Sequence, residues 1–195
     1  FDDLPNLRVI SFERNAISGH IPSSIGGLTQ LIQLNLGSNK LSGRIPDRFF
    51  DNLERIQTLQ LYSNHLSGSI PDVTGLGKNI GTFDLGSNQL TGSLPLELFN
   101  LTNLFSLDVG NNRLSSRIPA EIGQLSNLAY LDLWSNSFSG PLPNLTNLTE
   151  ILSVDLGDNF FSGQLEQSCL WELGDTLQYL DLRRNRITGK IPSSF

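Results

Sequence analysis

The chain has 195 residues, of which 38% are hydrophobic and 16% charged, and its formal net charge at pH 7 is −6. An acidic chain lacks the basic surface that phosphate backbones require, which argues against a nucleic-acid partner. No segment approaches the roughly 18 consecutive apolar residues of a membrane-spanning helix, so we do not expect this chain to cross a bilayer.

A pattern of about 24 residues recurs along the whole chain, and residues 80–103 show it in full as LxxLxLxxNxLxGxLPxxLxxLxx. Its Asn occurs eight times, at spacings of 24, 25, 24, 24, 24, 23 and 26 residues. Self-similarity at such a period with this letter pattern is the leucine-rich-repeat signature. The recurring residues are Asn15, Asn39, Asn64, Asn88, Asn112, Asn136, Asn159 and Asn185.

The repeat predicts one α/β solenoid over residues 1–195, a right-handed superhelix of about eight repeats with a parallel concave β-sheet. Alternating apolar residues place one short strand in each repeat. The convex side should consist of turns and short helical pieces such as 23–30 and 120–127. The predicted strands are 10–12, 34–36, 59–61, 83–85, 107–109, 131–133, 154–156 and 180–182.

Two residue types have predicted structural roles. The repeated Asn carries a donor and an acceptor, so in the interior it can bond backbone groups that the turn leaves unpaired. Cys169 falls in the core position of Ile25, Leu98 and Ile122, which predicts a buried, inert thiol. Extra residues in 165–176 should move Leu170, Trp171 and Leu173 to fill an enlarged convex edge.

A Gly-x-Ile/Leu-Pro motif follows the Asn in six repeats, as in Gly43–Pro46 and Gly92–Pro95. It is lost twice: Ser116 replaces the Gly of one repeat, and Leu165-Glu166 replaces the Leu-Pro of another. The complete pattern resembles the plant-type leucine-rich repeats of receptor-like proteins, receptor kinases and polygalacturonase inhibitors. That resemblance implies an extracellular, cell-surface protein of plant defence that faces the apoplast, with a protein or peptide ligand and a co-receptor kinase as partners.

Members of this family usually carry paired cysteines in terminal caps, and solenoids need polar caps. This chain has one Cys and no recognisable cap, so we expect 1–195 to be a fragment of a longer array. Three Asn-x-Thr sequons, at Asn100, Asn144 and Asn147, fall in the convex part of their repeats. Glycans there would leave the concave sheet free, although Asn144 and Asn147 are close enough to compete.

Catalytic and metal-binding patterns are missing from the sequence. His20 and His65 lie in different parts of their repeats and have no matching Ser or Cys nucleophile. The glycines mark repeat turns rather than a phosphate-binding loop, and no Cys/His spacing suggests a metal ion. We therefore expect no enzyme activity, cofactor or metal.

The outward positions of the strands form columns across the repeats. The central column contains Asp84, Asp108, Asp132 and Asp155, followed by Asp181, each about 4.8 Å from the next. These carboxylates either create a negative binding stripe or only bond locally to the backbone. Tyr130 and Trp134 flank Asp132, and Tyr62 shares the column of Trp134. Gly110 and Gly157 should leave space beside an exposed Trp134, and exposed aromatics are typical of binding hot spots.

These observations favour a binding module, the ectodomain segment of a plant cell-surface immune or peptide receptor that holds a protein or peptide on its concave face. Two readings remain open. The chain could belong to a secreted polygalacturonase-inhibitor-like protein that blocks a wall-degrading enzyme. Alternatively, it could be a structural spacer whose ligand site lies in other repeats.

Overall fold

The computed structural model describes residues 4–173 and 176–192 except the side chain of Trp171, and within them every repeat contributes two short strands. The odd-numbered strands pair in sequence order into one eight-stranded parallel sheet, and the even-numbered strands form a second. The first sheet contains β1 Val9–Ser11, β3 Gln33–Asn35, β5 Thr58–Gln60, β7 Thr82–Asp84, β9 Ser106–Asp108, β11 Tyr130–Asp132, β13 Ser153–Asp155 and β15 Tyr179–Asp181.

This first sheet is the predicted concave sheet, so the predicted solenoid is confirmed. Each strand begins and ends one residue earlier than the sequence pattern indicated. The second apolar residue of each repeat, such as Leu36 or Leu85, therefore lies just beyond its strand. In the six inner repeats this residue is buried, and its N–H donates to a carbonyl of the next repeat, as from Leu36 to Gln60 at 2.8 Å.

The second sheet was not predicted. Its strands are β2 Ser18–His20, β4 Lys40–Arg44, β6 His65–Gly68, β8 Gln89–Gly92, β10 Arg113–Ser116, β12 Ser137–Pro141, β14 Phe160–Gln164 and β16 Arg186–Thr188. A Gly within the strand weakens the usual strand signal in six of these eight strands, β10 and β16 being the exceptions. The stacking of repeats supplies the pairing partners that this local preference lacks.

The convex side carries short 3₁₀ helices, as the helical pieces at 23–30 and 120–127 predicted. They span Ser23–Gly27, Leu96–Asn100, Ala120–Gln124, Leu165–Gln167 and Cys169–Glu172. Among the described residues, no helix is long and apolar enough to span a membrane.

The prediction of a fully buried Cys169 is wrong, because its thiol is only half-buried. It lines a surface cleft with residues that include Leu142 and Gln167. Two helices replace one in this longer segment, and the shift places Leu170 and Leu173 in the core instead, as expected for those two. The prediction for Trp171 concerns a side chain outside the described part.

The Asn side chains join each repeat to the repeat before it. In Asn88, Oδ1 accepts the N–H of Leu66 at 3.0 Å, and Nδ2 donates to the carbonyl of Leu61 at 3.1 Å. The same Nδ2 also contacts the carbonyls of Leu85 and Gly86 in its own turn. The arrangement recurs from Asn39 to Asn185, whereas exposed Asn15 bonds only to its own turn.

Replacing Asn88 with Ala should lower the free energy of unfolding by roughly 3 kcal/mol or more, because buried backbone groups of two repeats lose their partners. Asn15→Ala is the matched control and should cost less than about 1 kcal/mol, since that Asn is exposed. Urea unfolding of both variants measures the difference. Equal losses would mean that the side-chain bonds between repeats contribute little.

Left-handed backbone occurs at two places in each repeat. The first is the residue before the Asn, and the second is the Gly of the Gly-x-Ile/Leu-Pro motif, such as Gly92 with φ of 84° and Gly140 with φ of 90°. Ser116 takes the second place in its repeat and has φ of 83°. A residue with a Cβ pays about 1–2 kcal/mol in this region, so Ser116 is a strained position.

We predict that Ser116→Gly raises the free energy of unfolding by about 0.5–1 kcal/mol, the relief of strain exceeding the added backbone entropy of Gly. Ser115→Gly, one residue earlier in the same strand, should instead destabilise by a similar amount. Denaturant unfolding compares the two. A loss of stability in both would show that Ser116 is not strained.

Candidate ligand-binding site on the concave face

The concave sheet brings the predicted aspartates into one column. Asp84 pairs with Asp108, Asp108 with Asp132, and Asp132 with Asp155 in the parallel register, and Asp181 continues the line. All five are half-buried. The column therefore exists as the sequence predicted.

Each carboxylate also bonds locally to the backbone, which is one of the two alternatives left open by the sequence. Oδ1 of Asp84, Asp108 and Asp132 accepts the backbone N–H two residues further on, at 2.8–3.0 Å. Asn35 occupies the same column and accepts the N–H of Gly37 in the same way. One oxygen thus closes the turn, and the charge itself is not required for that bond.

The column raises the pKa of its central carboxyl groups. Burial, together with the charge of other aspartates in the column, raises the pKa of Asp84, Asp108 and Asp132 to about 6. The pKa of Asp155 is also raised, mainly by burial, although Arg183 opposes the shift. Asp84, Asp108 and Asp132 therefore remain largely ionised at pH 7 and lose their charge as the pH falls below 6.

A first groove lies between Tyr62 and Trp134 on one side of the aspartate column. It encloses about 240 Å³, with Gly86 and Gly110 between the two aromatic residues. The carboxylates of Asp84, Asp108 and Asp132 line one wall of this groove. A Cβ on Gly86 or Gly110 would lie 2.8 or 2.7 Å from Oδ1 of the following Asp, so glycine is what lets the carboxylates pack there.

Tyr62 leans away from the groove toward the first repeat. Its ring lies over Gly37, where an added Cβ would come within 2.4 Å of Cε1. The hydroxyl donates to Glu13, which raises the pKa of Tyr62, and Glu13 also accepts from Asn35 Nδ2. The sequence indicated Tyr62 as a surface aromatic but gave no sign of this contact across two repeats.

Trp134 is half-buried rather than fully exposed, which corrects the sequence expectation. Its Nε1–H donates to Asp158 at 2.9 Å, and the guanidinium of Arg183 lies 5.9 Å from the ring centroid. Arg183 and Arg184 both pair with Asp158, and the hydrogen bond from Trp134 together with these pairs keeps the pKa of Asp158 below its usual value. The space expected beside Gly157 is taken, because Arg183 Cγ lies 3.2 Å from the position of a Cβ there.

A second groove of about 280 Å³ lies on the other side of the aspartate column. Tyr130 and Tyr179 face it with Ser153 between them, and it shares Asp108 and Asp132 with the first groove. Phe105 packs edge-on against Tyr130, with ring centroids 5.3 Å apart, and is 51% exposed. Tyr179 lines this groove and was not selected from the sequence, although it stands in the column of Tyr130.

The three sequons lie away from both grooves. Asn100 ends a 3₁₀ helix on the convex side, and Asn144 and Asn147 are exposed in the corresponding segment of a later repeat. Oδ1 of Asn144 accepts the N–H and the hydroxyl of Thr146 at 3.0 and 2.8 Å.

The raised pKa values predict a pH-dependent stability. The folded state binds a proton at Asp108 more tightly than the unfolded chain does, so unfolding free energy should fall as the pH rises from about 4 to 6. Asp108→Asn keeps the turn bond, as Asn35 shows, and removes the charge. We expect this variant to be about 1–2 kcal/mol more stable than the parent at pH 7 and nearly equal at pH 4.

Asp72→Asn is the control, and its effect on the free energy of unfolding should be opposite to that of Asp108→Asn. Hydrogen bonds from Thr74 lower the pKa of the exposed Asp72 carboxyl. This substitution should weaken the fold at pH 7. Urea unfolding at intervals between pH 4 and 7 distinguishes the two variants. A parent protein whose stability is flat over this range would contradict the burial of the column.

Comparison with known proteins agrees with this geometry. A family model for the leucine-rich repeat matches residues 6–28, 30–52, 79–101, 103–125, 127–148 and 176–195. None of the curated proteins matches the chain.

Three solved structures illustrate the similarity. The ectodomain of the Arabidopsis thaliana receptor kinase GASSHO1/SCHENGEN3, in complex with CASPARIAN STRIP INTEGRITY FACTOR 2, superimposes with TM-score 0.90, 34% identity, and coverage of 98% of this chain and 23% of that chain. The Arabidopsis receptor kinase HAESA, in complex with the peptide hormone IDA and the co-receptor SERK1, superimposes with TM-score 0.89 and 32% identity. The match covers 96% of this chain and 31% of that chain. A plant ice-binding protein superimposes with TM-score 0.81 and 27% identity, and the match covers 95% of this chain and 59% of that chain.

This chain therefore spans between 23% and 31% of the two receptor structures. The six matched segments cover more than half of the 195 residues. They carry the same Asn and Gly-x-Ile/Leu-Pro positions that form the turns and the two sheets. The chain belongs to the leucine-rich-repeat family, with repeats of the plant extracellular type.

Proposed function

We propose that this chain is a ligand-binding segment of the extracellular part of a plant cell-surface receptor of the immune or peptide-sensing type. It binds a protein or peptide on the concave face and performs no catalysis. The observation that carries the proposal is the pair of grooves that share Asp108 and Asp132 and are each bounded by aromatic side chains. The fold alone would not carry it, since one fold hosts many functions.

The dimensions of the grooves suit an extended peptide. Tyr62 and Trp134 are three strand spacings apart, about 14 Å, which is the length of roughly four extended residues. The two grooves run side by side across the strands with the carboxylates between them. A peptide lying along this line places alternate side chains toward one groove and then the other.

The chemistry of the grooves selects a basic ligand with an aromatic or aliphatic anchor. The carboxylates attract Lys or Arg and steer the encounter, whereas packing against Trp134 and Tyr130 supplies most of the affinity. Trp134 is held by Asp158 and Arg183 before any ligand arrives, which reduces the entropy lost on binding.

Similarity to receptor ectodomains solved with a peptide ligand, and in one case with a co-receptor, supports the same class of function for this chain. By extension, the proposed protein acts at the cell surface, faces the apoplast and recruits a co-receptor kinase. Glycans at Asn100, Asn144 and Asn147 would cover the convex side without reaching the grooves.

A random-peptide display library selected on the purified protein tests the proposal. Enriched peptides should carry Lys or Arg next to an aromatic or large aliphatic residue. Trp134→Ala should weaken their binding by about 30-fold or more, the hot-spot scale. Phe160→Ala is the matched control, because it truncates an exposed aromatic on the second sheet, and it should leave affinity unchanged.

The charge contribution has its own signature. Asp108→Asn should slow association more than it speeds dissociation, and the effect should fade as salt is raised. Binding to the parent protein should also weaken between pH 7 and pH 5, where the central carboxyl groups become protonated. Peptides that bind Trp134→Ala and the parent protein equally well would place the ligand site elsewhere.

A further inference from the structure

The second sheet has an outer face with its own charge pattern. In β4, Leu41 points into the core while Lys40, Ser42 and Arg44 point outward. The same alternation gives three outward positions in each of the eight repeats, two outer ones and one in the middle. None of these positions is occupied by Asp or Glu.

Basic residues occupy the outer positions in every third repeat. The six are Lys40, Arg44, Arg113, Arg117, Arg186 and Lys190, and all are exposed. His20 and His65 add two imidazoles near the first pair. The concave sheet shows the reverse pattern, since its outward positions hold Glu13 and five aspartates against the single cation Arg183. The charges of the molecule are therefore separated between its two sheets.

Within the described residues, the cations of the second sheet form no ion pair with an acidic side chain. In the described part of the chain, ion pairs involve only Arg14, Arg48, Arg183 and Arg184. The carboxylate of Glu166 accepts the backbone N–H of Lys190 rather than its ammonium. Unpaired exposed cations gathered on one face attract a polyanion even when the net charge is negative.

The backbone also arranges the arginine side chains along this face. The stem of Arg44 lies over Gly68, and the stem of Arg117 lies over Gly140, with Cγ 2.9 and 2.8 Å from where a Cβ would be. Both glycines have positive φ, with no side chain in the way. The stems thus lie flat across the neighbouring repeat, with their guanidinium groups along the sheet.

Every repeat places Ser or Thr at the middle outward position, from Ser18 to Thr188. Several of these hydroxyls lie 3.3–3.4 Å from the carbonyl of the preceding repeat and retain lone pairs for a further partner. The face is therefore a row of hydroxyl groups bordered by cations.

We propose that the outer face of the second sheet binds a linear acidic polysaccharide of the polyuronate class. Arg and Lys at the outer positions pair with its carboxylates, and the hydroxyl row bonds to its sugar hydroxyls. This surface is separate from the concave grooves, so a ligand and the polysaccharide can be bound together.

A polysaccharide fits this face better than a nucleic acid. Proteins that bind single strands stack the bases on several aromatic side chains. Among Phe, Tyr and Trp, the described outward positions hold only Phe160, and its ring is already covered by the guanidinium of Arg186 at 4.5 Å. Hydroxyl groups and separated cations match a polymer that presents hydroxyls and one carboxylate per sugar.

The test is binding of the protein to immobilised polygalacturonic acid, with fully methyl-esterified polygalacturonate as the uncharged form of the same polymer. Arg113→Gln combined with Arg117→Gln should weaken binding at least tenfold and reduce its salt dependence. The matched control is Arg14→Gln combined with Arg48→Gln, which makes the same charge change at residues paired with Glu13 and Asp51. This control should change affinity less than twofold, and thermal melting should confirm that all variants fold.

Preferential binding to the acidic polymer and selective loss in the Arg113/Arg117 variant would support the proposal. Equal weakening by both double variants would overturn it, because net charge alone would then explain binding. Equal affinity for the methyl ester, or no binding at low salt, would also overturn it. Equal or tighter binding of a single-stranded oligothymidylate would replace the polysaccharide with a nucleic acid.

Discussion

The Asn side chain of each repeat is the contact on which the other features depend. It joins backbone groups of two successive repeats, so its bonds can be satisfied only when the repeats stack in one register. That register pairs both strands of a repeat with those of its neighbours and buries leucines that a single repeat would expose. Every column of side chains on the surface follows from it.

Stacking in a fixed register turns a local choice of residue into a surface property. One acidic residue outward in the first strand becomes a line of carboxylates, and a basic residue outward in the second becomes a face of cations. Lining up the carboxylates raises their pKa values, whereas their turn bonds do not require a charge, as Asn35 shows. The turn bond does not account for the charge, and this supports the proposed ligand site on the concave face.

The repeat period predicted the concave sheet, the Asn positions and the columns of Asp108 and Tyr130, because each depends only on register. The second sheet was missed since its Gly-containing segments have little strand preference of their own. The half-buried Cys169 reflects an insertion that shifted the core to Leu170. The bonds of Tyr62 to Glu13 and of Trp134 to Asp158 cross between repeats, and side-chain direction along a column cannot be read from spacing.

The central claim is that stacking holds a line of partly buried carboxylates on the concave face. Carbon-13 NMR of the aspartate carboxyl groups, followed from pH 3 to 8, measures this directly. The account predicts that Asp84, Asp108 and Asp132 titrate near pH 6, while Asp158 titrates below the ordinary range. Titration of all four groups together near pH 4, the value of an exposed carboxyl, would contradict it.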